Sequence, residues 1–139
     1  MRPSASILVV DDSPFAAKAL VHVLESRGLR VWGASTMEEA IRICTDYRPS
    51  LLVTDVRMPN IDLFDLCERF RAAAGSQSTA VLLFSANSEH SMGDIVAAVR
   101  ADAFMEKHHG AAAVADRVAE LSAKLECNQT DADLPSVPG

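Results

Sequence analysis

Cysteine is scarce in this sequence and does not pair by spacing. The three cysteines, Cys44, Cys67 and Cys127, lie far apart and form no CxxC motif. An odd count at such spacing argues against a disulfide framework and against a zinc site. Cys44 and Cys67 fall on apolar helix faces, where they pack as small hydrophobes, and a reducing cytoplasm is the expected compartment. No apolar run is long enough to span a membrane. The early run Ser6-Ile7-Leu8-Val9-Val10 is too short for a secretory signal and ends in two aspartates. A basic stripe is also missing: the 13 Lys and Arg are scattered and the formal net charge is -6. That balance is a poor match for nucleic acid, whose phosphates need a concentrated cationic surface. A glycine-rich phosphate loop is absent after the first apolar run, where Asp11-Asp12-Ser13-Pro14 stand instead. Flavin- or nucleotide-binding readings lose their usual anchor with it.

What is present is a chain of 139 residues, 49% hydrophobic and 23% charged, which fits one domain able to bury its own core. Short apolar runs alternate with helix-periodic segments. Ile7–Val10 reads as a strand buried on both faces and Ala80–Phe84 as a buried strand, with Val31–Ala34, Leu51–Thr54 and Ala103–Met105 as further short strands. Between them lie helices. Ser13-Pro14 starts the first, with Phe15, Ala16, Ala19, Leu20, Val23 and Leu24 at helical spacing and Gly28 past its end. Ser35 or Thr36 with Glu38 or Glu39 gives a capping box for the second, whose apolar face is Met37, Ala40, Ile41 and Cys44. Leu63, Leu66, Cys67, Phe70 and Ala74 mark the third, closed by Gly75. Met92, Ile95, Val96 and Val99 mark the fourth. The fifth carries Val114, Val118, Leu121 and Leu125. That stripe is read as packing on the sheet, with a homodimer seam as the open alternative. Residues 1–126 are expected to form the domain and 127–139 a disordered tail or linker.

Five strands alternating with five helices predict an α/β fold with a doubly wound, flavodoxin-like parallel sheet in the order 2-1-3-4-5. In such a sheet ligands bind at the carboxyl ends of the strands, beside the switch point between strands 1 and 3. Asp11 and Asp12 end the first strand, Asp55 the third and Ser85 the fourth, and Lys107 follows the fifth. All five therefore gather on one edge. Two carboxylates about 4 Å apart repel by about 1 kcal/mol in water and about 4 kcal/mol at intermediate dielectric, so a cation or a proton must relieve the crowding. Hard oxygens with no His or Cys beside them favour Mg²⁺. An acid cluster with Mg²⁺, an ammonium and a hydroxyl suits a phosphoryl group, and Asp55 on the central strand is the best acceptor.

These residues resemble the receiver domains of two-component response regulators. The Asp11-Asp12 pair, Asp55 with Met58-Pro59 downstream, Ser85-Ala86, and Phe104 three residues before Lys107 stand in that family's order over roughly residues 6 to 126. The resemblance implies a phosphoprotein of the bacterial cytoplasm and a switch, not an enzyme beyond self-phosphorylation and self-dephosphorylation. Asp55 would take its phosphoryl group from a histidine kinase or phosphotransfer protein. Asp11, Asp12, Asp55 and the backbone carbonyl of Arg57 would bind Mg²⁺. Ser85 and Lys107 would contact the phosphoryl oxygens, and Ser85 and Phe104 would form the switch. A surface of helix 4, strand 5 and helix 5 would then be read by a downstream protein or a further output domain. Arg57 and Asn87 flank the site and are candidates for tuning the phosphoryl lifetime. No nucleic acid or membrane partner is expected.

Two departures from the family pattern stand out. His108 replaces the usual proline after the lysine, so the Lys107-His108 peptide is expected to be trans, because a non-proline cis bond costs about 2.5–4 kcal/mol. Leu63 follows Asp62 where a glycine is usual, which predicts a different loop or an earlier helix start. The adjacent His108-His109 pair is read as exposed loop, and His22 and His90 as helix surface. Trp32 is read as packing in an edge strand. A degenerate receiver, binding a partner without phosphate, is the main alternative function. An aspartate-nucleophile phosphatase is disfavoured, since Arg57 stands where its second acid would be.

Overall fold

A computed structural model of the chain describes residues 5–85, 92–106 and 110–133. The elements follow one another as β1 (Ser6–Val10), α1 (Pro14–Glu25), β2 (Arg30–Ala34), α2 (Met37–Tyr47), β3 (Leu51–Asp55), α3 (Leu63–Ala74), β4 (Ala80–Ser85), α4 (Met92–Val99), β5 (Ala103–Glu106) and α5 (Ala111–Asp133). The strands form one parallel sheet in the order β2-β1-β3-β4-β5. This is the doubly wound α/β arrangement that the alternating pattern predicts.

The apolar runs make sense once both faces of the sheet are covered. Every residue of β3 and of β4 is buried. Leu8, Val10, Leu52 and Leu83 pack with Ala40, Cys44, Leu66 and Phe70 in one core. Ile7, Val9, Val53 and Leu82 pack with Leu20, Leu24, Val118 and Leu121 in the other. Successive residues of a strand thus serve opposite cores, and each large side chain so buried contributes about 1.5–3 kcal/mol. Val114, Val118, Leu121 and Leu125 are all buried against the sheet, so the α5 stripe serves the core.

Local signals set the helix starts. Ser13 Oγ accepts from Ala16 N at 3.3 Å, with Pro14 in the first turn. Asp62 Oδ1 accepts from Asp65 N at 3.1 Å, so α3 begins at Leu63, directly after the loop aspartate. Gly75, with φ 66°, follows the last residue of α3. Trp32 is half-buried and stacks on Tyr47 with ring centroids 4.6 Å apart. His22 is exposed, as its helix position suggests.

Two expectations need correction. Ile43, not Ile41, completes the buried face of α2 with Ala40 and Cys44. Both isoleucines satisfy a helical period: Ile41 with Met37, Ala40 and Cys44, and Ile43 with Ala40, Cys44 and Tyr47, whose ring stacks on Trp32. The fifth helix does not end near Glu126 but continues to Asp133. A shift to polar residues does not itself stop a helix, because Asn, Gln, Thr and Ala cost only tenths of a kcal/mol to about 0.7 kcal/mol each in a helix.

Candidate functional site

The topology brings the chemistry to one edge. β3 lies between β1 and β4, with Val10 opposite Thr54 and Asp55 opposite Phe84. Asp11 and Asp12 leave the end of β1, Asp55 is the last residue of β3, and Ser85 is the last of β4. Asp11, Asp12 and Asp55 each offer a carboxylate oxygen, and these oxygens lie within 4.8 Å of one another. Asp11 and Asp55 are 2% and 7% exposed, while Asp12 is half-buried.

Asp11 and Asp55 are each held by the backbone that turns away from the strand. Asp11 N donates to Ala34 O at 3.1 Å, which extends the sheet past β1. Its Oδ1 accepts from Ser13 N at 3.0 Å, an Asx-type turn leading into α1. Asp55 Oδ1 accepts from Arg57 N at 3.2 Å, and Val56 N donates to Phe84 O at 3.0 Å. These bonds help fix where the two carboxylates point.

Three acids so close, two of them buried, repel one another. A pair at this range costs about 1 kcal/mol in water and several times that in a less polar medium. Hard oxygens alone, with no imidazole or thiolate among them, suit Mg²⁺ or Ca²⁺ rather than a softer metal. The donor set and its charge therefore fit a divalent cation.

Ser85 is fully buried on β4 beside the cluster. The alternation of β4 puts it on the same face as Leu83, the register partner of Phe104. Phe104 is half-buried and packs on the core under α2 and α3. Arg57 is exposed, and its N–H holds Asp55. Lys107 and Asn87 lie outside the described residues, as do His90, His108 and His109 and with them the Lys107-His108 peptide.

One residue at the site escapes a sequence reading. Thr54, fully buried, donates through Oγ1 to Asp55 O at 3.0 Å. Its signal is a lone hydroxyl in the otherwise apolar stretch before Asp55. Among the described residues, no helix is long and apolar enough to cross a membrane.

Comparison with known proteins converges on one family. The model of the response regulator receiver domain matches residues 7–119. The chain is 35% identical over 95 residues to protein-glutamate methylesterase/protein-glutamine glutaminase 3 of Hahella chejuensis, covering 68% of this chain and 26% of that protein. It is 33% identical over 84 residues to the transcriptional regulatory protein AfsQ1 of Streptomyces coelicolor, covering 60% of this chain and 36% of that one. The chain thus spans only a minor part of these curated relatives. Its fold is similar to that of a CheY-like response regulator receiver domain protein from Methanospirillum hungatei, with a TM-score of 0.76 at 18% identity over 91% of this chain and 99% of the other.

Proposed function

The chain belongs to the response regulator receiver domain family, and from that premise we propose that it is a phospho-acceptor switch whose acceptor is Asp55. The observation that carries this reading is the meeting of Asp11, Asp12 and Asp55 within 4.8 Å at the carboxyl edge of the sheet. In transfer, a carboxylate oxygen of Asp55 attacks phosphorus and forms the acyl phosphate P–O bond. The P–N bond of a phosphohistidine on the donor breaks, and the imidazole nitrogen keeps the electron pair and takes up a proton. The donor is a histidine kinase or a phosphotransfer protein.

Asp11, Asp12, Asp55 and the Arg57 carbonyl would hold Mg²⁺, which would supply positive charge against the phosphoryl oxygens. The chain's own groups do the rest. The Arg57 N–H bond to Asp55 Oδ1 orients the carboxylate. The Ser85 hydroxyl donates to a phosphoryl oxygen, and Lys107 pairs with another. Phosphate favours the active arrangement only through contacts absent from the inactive one. Ser85 and Phe104 share a face of the sheet, so a shift of Ser85 toward the phosphate opens room for the ring to turn inward. The face of α4, β5 and α5 changes with it, and a downstream protein or an output domain reads that face. Arg57, exposed two residues after Asp55, and Asn87, two residues after Ser85 in the sequence, tune the lifetime of the adduct.

Incubation with Mg²⁺ and a small phosphodonor tests the reading. The expected result is one acid-stable, base-labile phosphoryl group by mass, absent in Asp55→Asn. No adduct on the wild type would leave a receiver that binds partners without phosphate. An adduct that survives Asp55→Asn would place the acceptor elsewhere.

A further inference from the structure

A buried hydroxyl in the middle of a sheet needs a reason. Thr54 is fully buried on the central strand, where the residues before it in β3 are Leu51, Leu52 and Val53. Valine has the same shape, favours strands as well and brings no polar group that must be satisfied away from water. The cost of burying the hydroxyl is offset only by the bonds it makes.

Those bonds lead to the loop after β3. The register of β1 on β3 ends at Val10 opposite Thr54. The Thr54 hydroxyl takes up the next carbonyl of β3, donating to Asp55 O at 3.0 Å. The other side of the same peptide is held by the sheet, since Val56 N donates to Phe84 O at 3.0 Å. Thr54 Oγ1 also lies 4.0 Å from Met58 Sδ. Met58 is itself buried in the core under α2 and α3, and its carbonyl accepts from Ile61 N at 3.1 Å. Thr54 therefore touches both ends of the segment from Asp55 to Met58. Between those ends is Arg57, whose N–H donates to Asp55 Oδ1 at 3.2 Å and whose carbonyl is the backbone ligand of the proposed cation site.

A carboxylate turns about its own bonds to suit an ion, whereas a backbone carbonyl goes where its loop is held. Mg²⁺ demands near-ideal octahedral geometry at about 2.0–2.1 Å, while Ca²⁺ accepts more oxygens at about 2.3–2.6 Å in looser arrangements. A displaced carbonyl thus costs Mg²⁺ more than Ca²⁺. We infer that Thr54 is a positioning residue that makes the acid cluster discriminate Mg²⁺ from Ca²⁺, by fixing the loop that presents the Arg57 carbonyl. The inference rests on the proposed function for the ligand set and deepens it.

Calorimetric titration of the full chain with Mg²⁺ and, separately, with Ca²⁺ tests it without any phosphodonor. Thr54→Val keeps the shape and removes the hydroxyl. It is expected to weaken Mg²⁺ binding about tenfold or more, the effect of losing a group that orients a ligand. Ca²⁺ binding should weaken about threefold or less, so the ratio of the two affinities falls. Thr54→Ser keeps the hydroxyl and should hold the ratio within about twofold of the wild type. Should Thr54→Val fold poorly, Thr54→Ala removes the same hydroxyl without adding bulk and should shift the ratio the same way. A hydroxyl that served only the fold would move the thermal midpoint in a chelator and leave the ratio alone, which would overturn the inference. So would equal weakening of both ions, or a Thr54→Ser protein that behaves like Thr54→Val. Failure of the proposed site looks different: Mg²⁺ binding that Asp12→Asn leaves unchanged would put the ion away from the acid cluster, and the inference would fall with the site.

Discussion

Gly33 shows how closely α1 lies on the sheet: a Cβ built there would stand 2.9 Å from Val21 Cγ2. Val21 is β-branched and short, so it has little freedom to yield. Overpacking of this kind costs about 1–3 kcal/mol, while alanine recovers at most about 1 kcal/mol of glycine's chain entropy. The clash wins, and Gly33→Ala should lower the urea midpoint, with Val21→Ala in the same chain restoring part of it. The cysteines make a second point at this scale. Burial pushes the Cys44 thiol from 9.0 up to about 11. Burial does the same to Cys67, also to about 11, although Arg71 opposes it. Between those values the folded state keeps protons that the unfolded chain sheds, so stability falls as pH rises from about 9 towards 11, by at most about 2–3 kcal/mol per thiol. Unfolding in urea at successive pH values should show this loss. Replacing both cysteines with alanine should flatten the alkaline slope relative to the wild type, whatever it does to the stability near neutrality.

The start of α2 shows what a sequence settles about an element and what it leaves open. Ser35, Thr36, Glu38 and Glu39 announce a capped helix in either of two registers. The structure selects Thr36, whose Oγ1 accepts from Glu39 N at 3.1 Å, while Glu39 Oε1 accepts from Ser35 N at 2.9 Å. The return bond therefore goes to the residue before the cap. Thr36→Ala should cost about 1 kcal/mol, read as a lower thermal midpoint. Glu38→Gln should cost much less, since Glu38 is exposed and makes no part of the cap. All five strands and five helices were legible because their apolar runs and caps are local signals. The facing of α2 was not. Ile41 and Ile43 lie on either side of the stripe of Ala40 and Cys44, and periodicity alone favours neither. The end of α5 was equally hidden, because weak propensities rather than a glycine or proline govern residues 127–133.

Across the whole molecule, the site was legible for a topological reason. Asp11, Asp12, Asp55 and Ser85 belong to three strands that the order β2-β1-β3-β4-β5 makes neighbours, so strand-end position alone predicts their convergence. Convergence has a cost that the rest of the fold must carry. Two buried acids and a half-buried third repel by an amount on the order of 1–4 kcal/mol per pair, an appreciable share of the 5–15 kcal/mol that a domain has in hand. The chain is therefore expected to trade stability for a cation site. Asp12→Asn removes one charge while preserving shape, so without divalent ions it should melt higher than the wild type by about 3–8 °C. Added Mg²⁺ should raise the wild-type midpoint in proportion to the logarithm of its concentration once binding saturates, and should raise that of Asp12→Asn much less. Thermal melts with Mg²⁺ and with a chelator read both effects. Equal gains in the two proteins would show that the ion acts away from these carboxylates. A lower melting point for Asp12→Asn in the chelator would mean that Asp12 serves the fold by a contact that outweighs its repulsion from Asp11 and Asp55.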